Sequence, residues 1–148
     1  MRKLLITMHL GTLTIGGCIY LFFRSDTLFM FNWVDSISLT NILETLRNDT
    51  LPIRENLPNW FIYSLPDGLW ISSYVFIMFS IWGESLSSDS IVWLLLIPIA
   101  AMLSEFGQLI HIIPGTFDAL DLICYSIGFS LPALLLIKYY KSKNLQNE

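Results

Sequence analysis

Residues 91–140 have the sequence IVWLLLIPIAAMLSEFGQLIHIIPGTFDALDLICYSIGFSLPALLLIKYY. Two apolar stretches, 91–113 and 118–140, each approach the roughly 20 residues that a helix needs to cross a bilayer. Their acidic, amide and imidazole side chains lie only where their ends face each other, at Glu105, Gln108, His111, Asp118 and Asp121. The pattern predicts two membrane-spanning helices joined by a short turn. Ionisable groups at that depth are costly, so they are candidates for function.

The composition of the whole chain favours a membrane protein. Hydrophobic residues make up 54% and charged residues 14% of the 148 residues, whereas soluble domains have roughly 25% charged residues. The mean hydropathy is +0.61. A net charge of −4 argues against nucleic acid as a partner, because phosphate backbones are bound through clustered Lys and Arg. The length allows a single membrane domain over residues 1–148.

Two further stretches can span the membrane, which predicts an all-α bundle of four transmembrane helices. The first is residues 4–23, which contain no charge, and the second is residues 64–82. Pro66 and Asp67 fit the first turn of the second helix, where proline is tolerated and an acidic group favours the helix dipole. The predicted spans are therefore residues 4–23, 64–82, 91–113 and 118–140.

The basic residues predict the orientation of the bundle. Five of the eight Lys and Arg lie near the two termini, at Arg2, Lys3, Lys138, Lys141 and Lys143. The positive-inside rule then places both termini in the cytoplasm, which an even number of spans allows. The loop of residues 24–59 and the turn of residues 107–117 are expected on the outer side.

The outer loop is expected to contain a short helix on the membrane surface. Apolar residues recur at helical spacing in it, at Leu39, Ile42, Leu43 and Leu46. Such an amphipathic segment favours the interface between lipid and water.

The first span has an alternative interpretation as a secretory signal. Residues 15–18 are Ile-Gly-Gly-Cys, which resembles the site before a lipidated cysteine in bacterial lipoproteins. Apolar sequence continues beyond Cys18 to Phe23, whereas a signal turns polar after an apolar region of ~7–15 residues. An uncleaved helix is therefore favoured.

The polar residues are expected to converge near one membrane surface. Glu105 lies about 21 Å along the third helix from Ile91, and Gln108 follows one turn later on the same face. On the returning helix, Asp118 and Asp121 share a face that continues through Tyr125 and Gly128. The candidate binding residues are Asp67, Glu105, Gln108, His111, Asp118 and Asp121.

The carboxylates suggest what this cluster can bind. Glu105 and Asp121 are expected to share a proton or hold a cation, because two nearby carboxylates cannot both ionise cheaply in a poorly solvated place. No cofactor is expected beyond a hard cation such as Ca²⁺ or Mg²⁺, which prefers oxygen ligands. A zinc site is disfavoured because the cluster offers one histidine.

Each candidate also has a structural interpretation. Glu105 and Gln108 can join two helices through buried hydrogen bonds, which contribute about 0.6 kcal/mol on average in membranes. Asp118 can be the N-cap of the fourth helix, and His111 a solvated turn residue. Asp121, one turn inside the fourth helix, is the better candidate for function.

The order of these residues resembles the VanZ-like membrane protein family. The resemblance rests on Glu105-x-x-Gln108, a turn, Phe117-Asp118-x-x-Asp121-Leu122, and Gly128, within the last two spans. It implies a small multi-spanning protein of the bacterial plasma membrane; the founding member of the family is associated with low-level teicoplanin resistance. The family usually has an arginine just before the first aspartate, where this chain has Pro114-Gly115-Thr116, and an asparagine where it has Tyr125.

Three functions remain open from the sequence. The first is a VanZ-like protein whose outward-facing acidic pocket binds a lipid headgroup, a lipid-linked envelope precursor or a cation. The second is a scaffold or accessory subunit that packs against other membrane proteins. The third is an intramembrane hydrolase or transferase with Glu105 or Asp121 as the base and His111 as a proton carrier. Its nucleophile is not identifiable, so the sequence does not decide whether the chain is an enzyme.

Overall fold

The computed structural model describes residues 1–24, 36, 40–83 and 87–146, and every regular element within them is an α-helix. The helices are α1 (Arg2–Phe23), α2 (Thr40–Arg54), α3 (Asn59–Tyr63), α4 (Leu65–Trp82), α5 (Ser88–Leu109) and α6 (Ala119–Gln146). Four of them are long and apolar enough to cross a membrane: α1, α4, α5 and the Ala119–Tyr140 part of α6. This confirms the prediction of an all-α chain with four helices of membrane length.

α5 differs at both ends from the predicted span of residues 91–113, and a capping pair explains its start. At its start, the Ser87 hydroxyl accepts from the backbone N–H of Ser90, and the Ser90 hydroxyl accepts from that of Ser87. This reciprocal pair begins the helix at Ser88. At its end, the helix stops at Leu109, although the apolar sequence continues to Ile113.

The predicted surface helix corresponds in position to α2, which covers the end of α1. Leu39 lies outside the described residues, and α2 begins at Thr40. The Arg47 guanidinium donates to the backbone oxygens of Leu21, at 2.5 Å, and Arg24, at 2.6 Å. The last carbonyls of a helix lack partners within it, so α2 supplies donors of the favourable charge there.

The order of contacts defines the packing of the long helices. α1 runs antiparallel to α4, because His9 meets Ser73 while Gly16 lies against Trp70. α6 runs parallel to α4, because Gly68 approaches Cys124 and Phe79 stacks on Tyr140. α5 is antiparallel to both neighbours.

The consequence is that the start of α1 and the last turns of the apolar part of α6 meet at one end of the bundle. A hydrophobic core fills that end, formed by Leu5, Val75, Phe79, Leu94, Ala133, Leu136 and Tyr140. The opposite end collects the end of α1, the start of α4, the end of α5 and the start of α6.

Small residues let α4 and α6 approach closely at their crossing. A Cβ atom added to Gly128 would lie 2.2 Å from the backbone oxygen of Gly68, and one added to Gly68 would lie 2.8 Å from that of Cys124. Close approach of backbones through small residues is a common basis of helix association in membranes.

Ser72 satisfies a carbonyl at this crossing. Pro132 lies inside α6 and has no N–H, so it cannot donate to the oxygen of Gly128 four residues earlier. The Ser72 hydroxyl of α4 donates to that oxygen instead, at 2.8 Å. Such replacement by a neighbouring helix is what makes an internal proline tolerable in a membrane span.

A polar pocket at one end of the bundle

A cavity of about 510 Å³ lies where the ends of the long helices meet, and we call it the polar pocket. It draws residues from the end of α1, from α3, α4, α5 and α6, and from the turn between α5 and α6. Its described lining residues are Arg24, Asn59, Tyr63, Asp67, Ser104, Glu105, Gln108, Thr116, Asp118, Asp121 and Tyr125. Antiparallel packing explains the convergence, because the polar residues sit at facing ends of successive helices.

The structure brings together five of the six candidate residues predicted from the sequence. Those lining the pocket are Asp67, Glu105, Gln108, Asp118 and Asp121. Tyr125 also lines it, as its position on the face of Asp121 suggested. Gly128 does not, and instead packs against Gly68.

His111 is not among the pocket's described lining residues. It is exposed and lies two residues beyond the end of α5, where it closes the helix. It has a positive φ of 58°, the left-handed conformation. Its N–H donates to the Gln108 oxygen at 3.1 Å, and the N–H of Ile112 donates to the Gly107 oxygen at 2.9 Å. These two bonds form the Schellman motif, in which glycine usually occupies the position of His111. The structure therefore gives His111 a backbone role at the helix end.

Glu105 and Asp118 hold the end of α5 against the start of α6. The Glu105 side chain is 4% exposed, and its Oε2 accepts from the Asp118 N–H at 3.3 Å. Asp118 directly precedes α6, and its Oδ1 accepts from the Leu120 N–H at 2.8 Å. Asp118 is thus the N-cap that the sequence suggested, while both carboxylates also line the pocket.

Asp121 and Ser64 leave buried polar atoms without partners. Asp121 Oδ1 and Ser64 Oγ are both buried and accept or donate no hydrogen bond within the described part of the chain. Ser64 is fully buried, and its hydroxyl lies beside the Asp121 carboxylate, to which it can donate. Buried polar groups without partners are rare in folded proteins, which makes this part of the pocket a candidate for binding a donor.

Arg24 brings to the pocket a cation that the sequence pattern did not predict. Its guanidinium lies 4.6 Å from the ring centre of Tyr20 and 5.5 Å from that of Tyr63. It donates to the backbone oxygen of Tyr63 at 3.3 Å. Arg47 in turn donates to the Arg24 oxygen. The sequence signal was the position of Arg24 directly after the first span, but the packing of α1 against α3 and α4 was needed to place it.

Gly115 shapes the turn that covers Gln108. Its φ is +140°, and a Cβ atom there would lie 2.8 Å from the Gln108 Cδ. An L side chain rarely adopts this backbone conformation, so glycine lets the turn lie directly on the Gln108 amide.

A second cavity, of about 400 Å³, lies at the same end of the bundle and is apolar. It shares no described lining residue with the polar pocket. Its lining comes from α3, α4 and α6: Trp60, Leu65, Gly68, Leu69, Ser72, Leu120, Ile123, Cys124, Ile127 and Gly128.

The pocket has four carboxylates and one arginine among its described lining residues. Within the described ranges, no three His, Cys, Asp or Glu side chains form a group that could hold a metal ion. Comparisons with protein-family models, with curated proteins and with solved structures gave no match for this chain.

Proposed function

We propose that this chain is a multi-pass protein of the bacterial plasma membrane that binds the polar head of a lipid or lipid-linked envelope precursor in its polar pocket. Both termini lie in the cytoplasm and the pocket opens on the outer side, in accord with the basic residues at the termini. The resemblance to the VanZ-like family supports the same assignment. The observation that carries the proposal is the gathering of Arg24, Asp67, Glu105, Asp118 and Asp121 around one cavity.

The size and surroundings of the pocket support a lipid ligand. Small-molecule sites have volumes of about 300–1,000 Å³, and the polar pocket falls within this range. The apolar cavity at the same end offers a surface for hydrocarbon. A ligand with a charged head can place that head in the polar pocket while its hydrocarbon tail stays in the lipid around the apolar helices.

The double variant Glu105→Gln with Asp121→Asn tests the proposal. It keeps the shape of both side chains and removes their charge. We expect purified wild-type protein in detergent to gain thermal stability when bacterial lipid extract is added, and the double variant to lose this gain. Without lipid, the variant should unfold at the temperature of the wild type or slightly above it, because the carboxylates no longer repel each other.

Asp89→Asn is the matched control, since it removes one exposed carboxylate from the first turn of α5, at the other end of the bundle. This control should keep the full gain in stability on adding lipid. If the double variant also keeps the full gain, the pocket does not bind the lipid and the proposal fails.

A structural function as a scaffold or accessory subunit is the second candidate, and one contact favours it. The bond from the Asp118 N–H to the Glu105 side chain joins α5 to the residue that caps α6. If the carboxylates serve only this packing, the double variant unfolds at the temperature of the wild type or above it and keeps the full gain in stability on adding lipid. A titration with Ca²⁺ and Mg²⁺ tests the remaining alternative of a hard cation in the same pocket.

A further inference from the structure

We infer that the head bound in the polar pocket carries a primary ammonium group, as does the ethanolamine phosphate head of a phospholipid. This inference rests on the proposed function and specifies its ligand. It follows from three properties of the pocket: the excess of hydrogen-bond acceptors, the unpaired oxygen of Asp121, and the volume of the cavity.

The pocket presents more acceptor oxygens than donors of matching charge. Four carboxyl side chains line the cavity, and each one that is ionised only accepts hydrogen bonds. Two of their oxygens already accept from backbone N–H groups, at Asp118 and Leu120. The others favour a ligand that donates and is positively charged. An ammonium group has three N–H donors and no acceptor.

The unpaired oxygen Oδ1 of Asp121 marks where the ammonium group binds. Asp121 Oδ1 is buried, lacks a partner among the described residues, and belongs to a side chain that lines the pocket. Ser64 is fully buried beside the same carboxylate, where its hydroxyl can donate to Asp121, and it is not among the pocket's described lining residues. A donor bound at Asp121 Oδ1 supplies the hydrogen bond that this oxygen lacks, which removes the cost of leaving it unpaired.

The volume favours a polyatomic group over a bare ion. A water molecule occupies about 30 Å³ in the liquid, so a cavity of about 510 Å³ is far larger than one ion requires. Arg24 adds a donor suited to phosphate, because its guanidinium can bind phosphate oxygens in pairs. A head with an ammonium group and a phosphate therefore matches Asp121 at one point of the pocket and Arg24 at another.

Phospholipids that differ only in the head test this inference on the wild-type protein. We expect phosphatidylethanolamine, added to the purified full chain in detergent micelles, to raise the unfolding temperature in a saturable manner. Phosphatidylcholine has the same phosphate but no N–H on its nitrogen, and phosphatidylglycerol has no amine. Both should need at least about tenfold higher concentration for the same effect. Native mass spectrometry of the retained lipid provides an independent measurement.

Asp121→Asn should raise the half-saturating concentration of phosphatidylethanolamine about tenfold, which corresponds to a loss of about 1.4 kcal/mol in binding free energy. Asp89→Asn should leave it unchanged. The comparison of lipids on the wild type does not depend on how well either variant folds.

The outcomes separate this inference from the function on which it rests. Equal binding of phosphatidylcholine, or stronger binding of phosphatidylglycerol that the double variant abolishes, overturns the ammonium group and leaves lipid binding standing. The ammonium group is also overturned if Ca²⁺ or Mg²⁺ raises the unfolding temperature at least as much as phosphatidylethanolamine does. Soluble glycerophosphoethanolamine that binds as tightly as the lipid supports the ammonium group and overturns the lipid. If no lipid has an effect that depends on the pocket, both proposals fail.

Discussion

His111 shows how a residue with the chemistry of a catalytic group can be placed by backbone geometry alone. Histidine is one of the residues that tolerate the left-handed conformation better than most, although glycine adopts it without steric cost. At position 111 the imidazole is exposed, and the backbone N–H groups of residues 111 and 112 close the end of α5. The end of α5 therefore explains the position of His111 without a role as a proton carrier.

Substitutions at this position separate the two roles. We expect His111→Gly to raise the free energy of unfolding by up to about 1 kcal/mol, because it relieves the left-handed strain. His111→Val should lower it, since a β-branched residue is strongly disfavoured at positive φ. Thermal unfolding of the purified variants measures both changes. The gain in stability on adding lipid should be the same in both variants; its loss in both would instead place the imidazole in the binding site.

At the scale of helices, the crossing of α4 and α6 depends on the absence of side chains at Gly68 and Gly128. Gly68 and Gly128 bring two backbones together, whereas Gly17, also within a span, has no atom within 4 Å of the position a Cβ would take. Similar residues in similar apolar sequence thus have different surroundings.

Alanine at these positions tests the difference. We predict that Gly128→Ala lowers the free energy of unfolding by about 1–3 kcal/mol, since the added methyl meets the rigid backbone of Gly68 and the helices must separate. Gly17→Ala should leave it unchanged or raise it by up to about 1 kcal/mol, because alanine is the better helix former and the added methyl meets no other group. Unfolding of both variants in detergent measures the contrast. Equal effects would show that the two helices do not cross closely at Gly128.

The helices were predictable from the sequence because the spans depend on composition and length. Local hydrogen bonds decide their ends, such as the Ser87–Ser90 pair, and these are harder to recognise in a long apolar stretch. The carboxylates of the pocket were predictable because they occupy facing ends of neighbouring spans. Arg24 and Ser64 were not, because their position beside the carboxylates depends on how α1 and α3 pack against the other helices.

For the whole molecule, the orientation in the membrane determines what the pocket can reach. The start of α1 and the last turns of the apolar part of α6 lie at the end of the bundle opposite the pocket. If the basic residues at the termini face the cytoplasm, the pocket faces outward and its ligand belongs to the outer leaflet or the cell envelope.

Reporter fusions determine the orientation. A reporter active only in the cytoplasm should be active after Lys143 and inactive at Asn56, which follows α2 on the side of the pocket. A reporter active only outside the cytoplasm should give the reverse pattern. Cytoplasmic activity at Asn56 would place the pocket on the inner side and exclude an outer-leaflet ligand.

The pairing of Ser72 with Gly128 also has a consequence for the order of assembly. An isolated α6 enters the bilayer with one carbonyl that Pro132 leaves without its donor, and hydrocarbon cannot supply another. The donor belongs to a helix that the ribosome makes earlier, so it is already in the membrane when α6 arrives. The apolar part of α6 is therefore completed by docking on α4, which supplies the donor that α6 itself lacks.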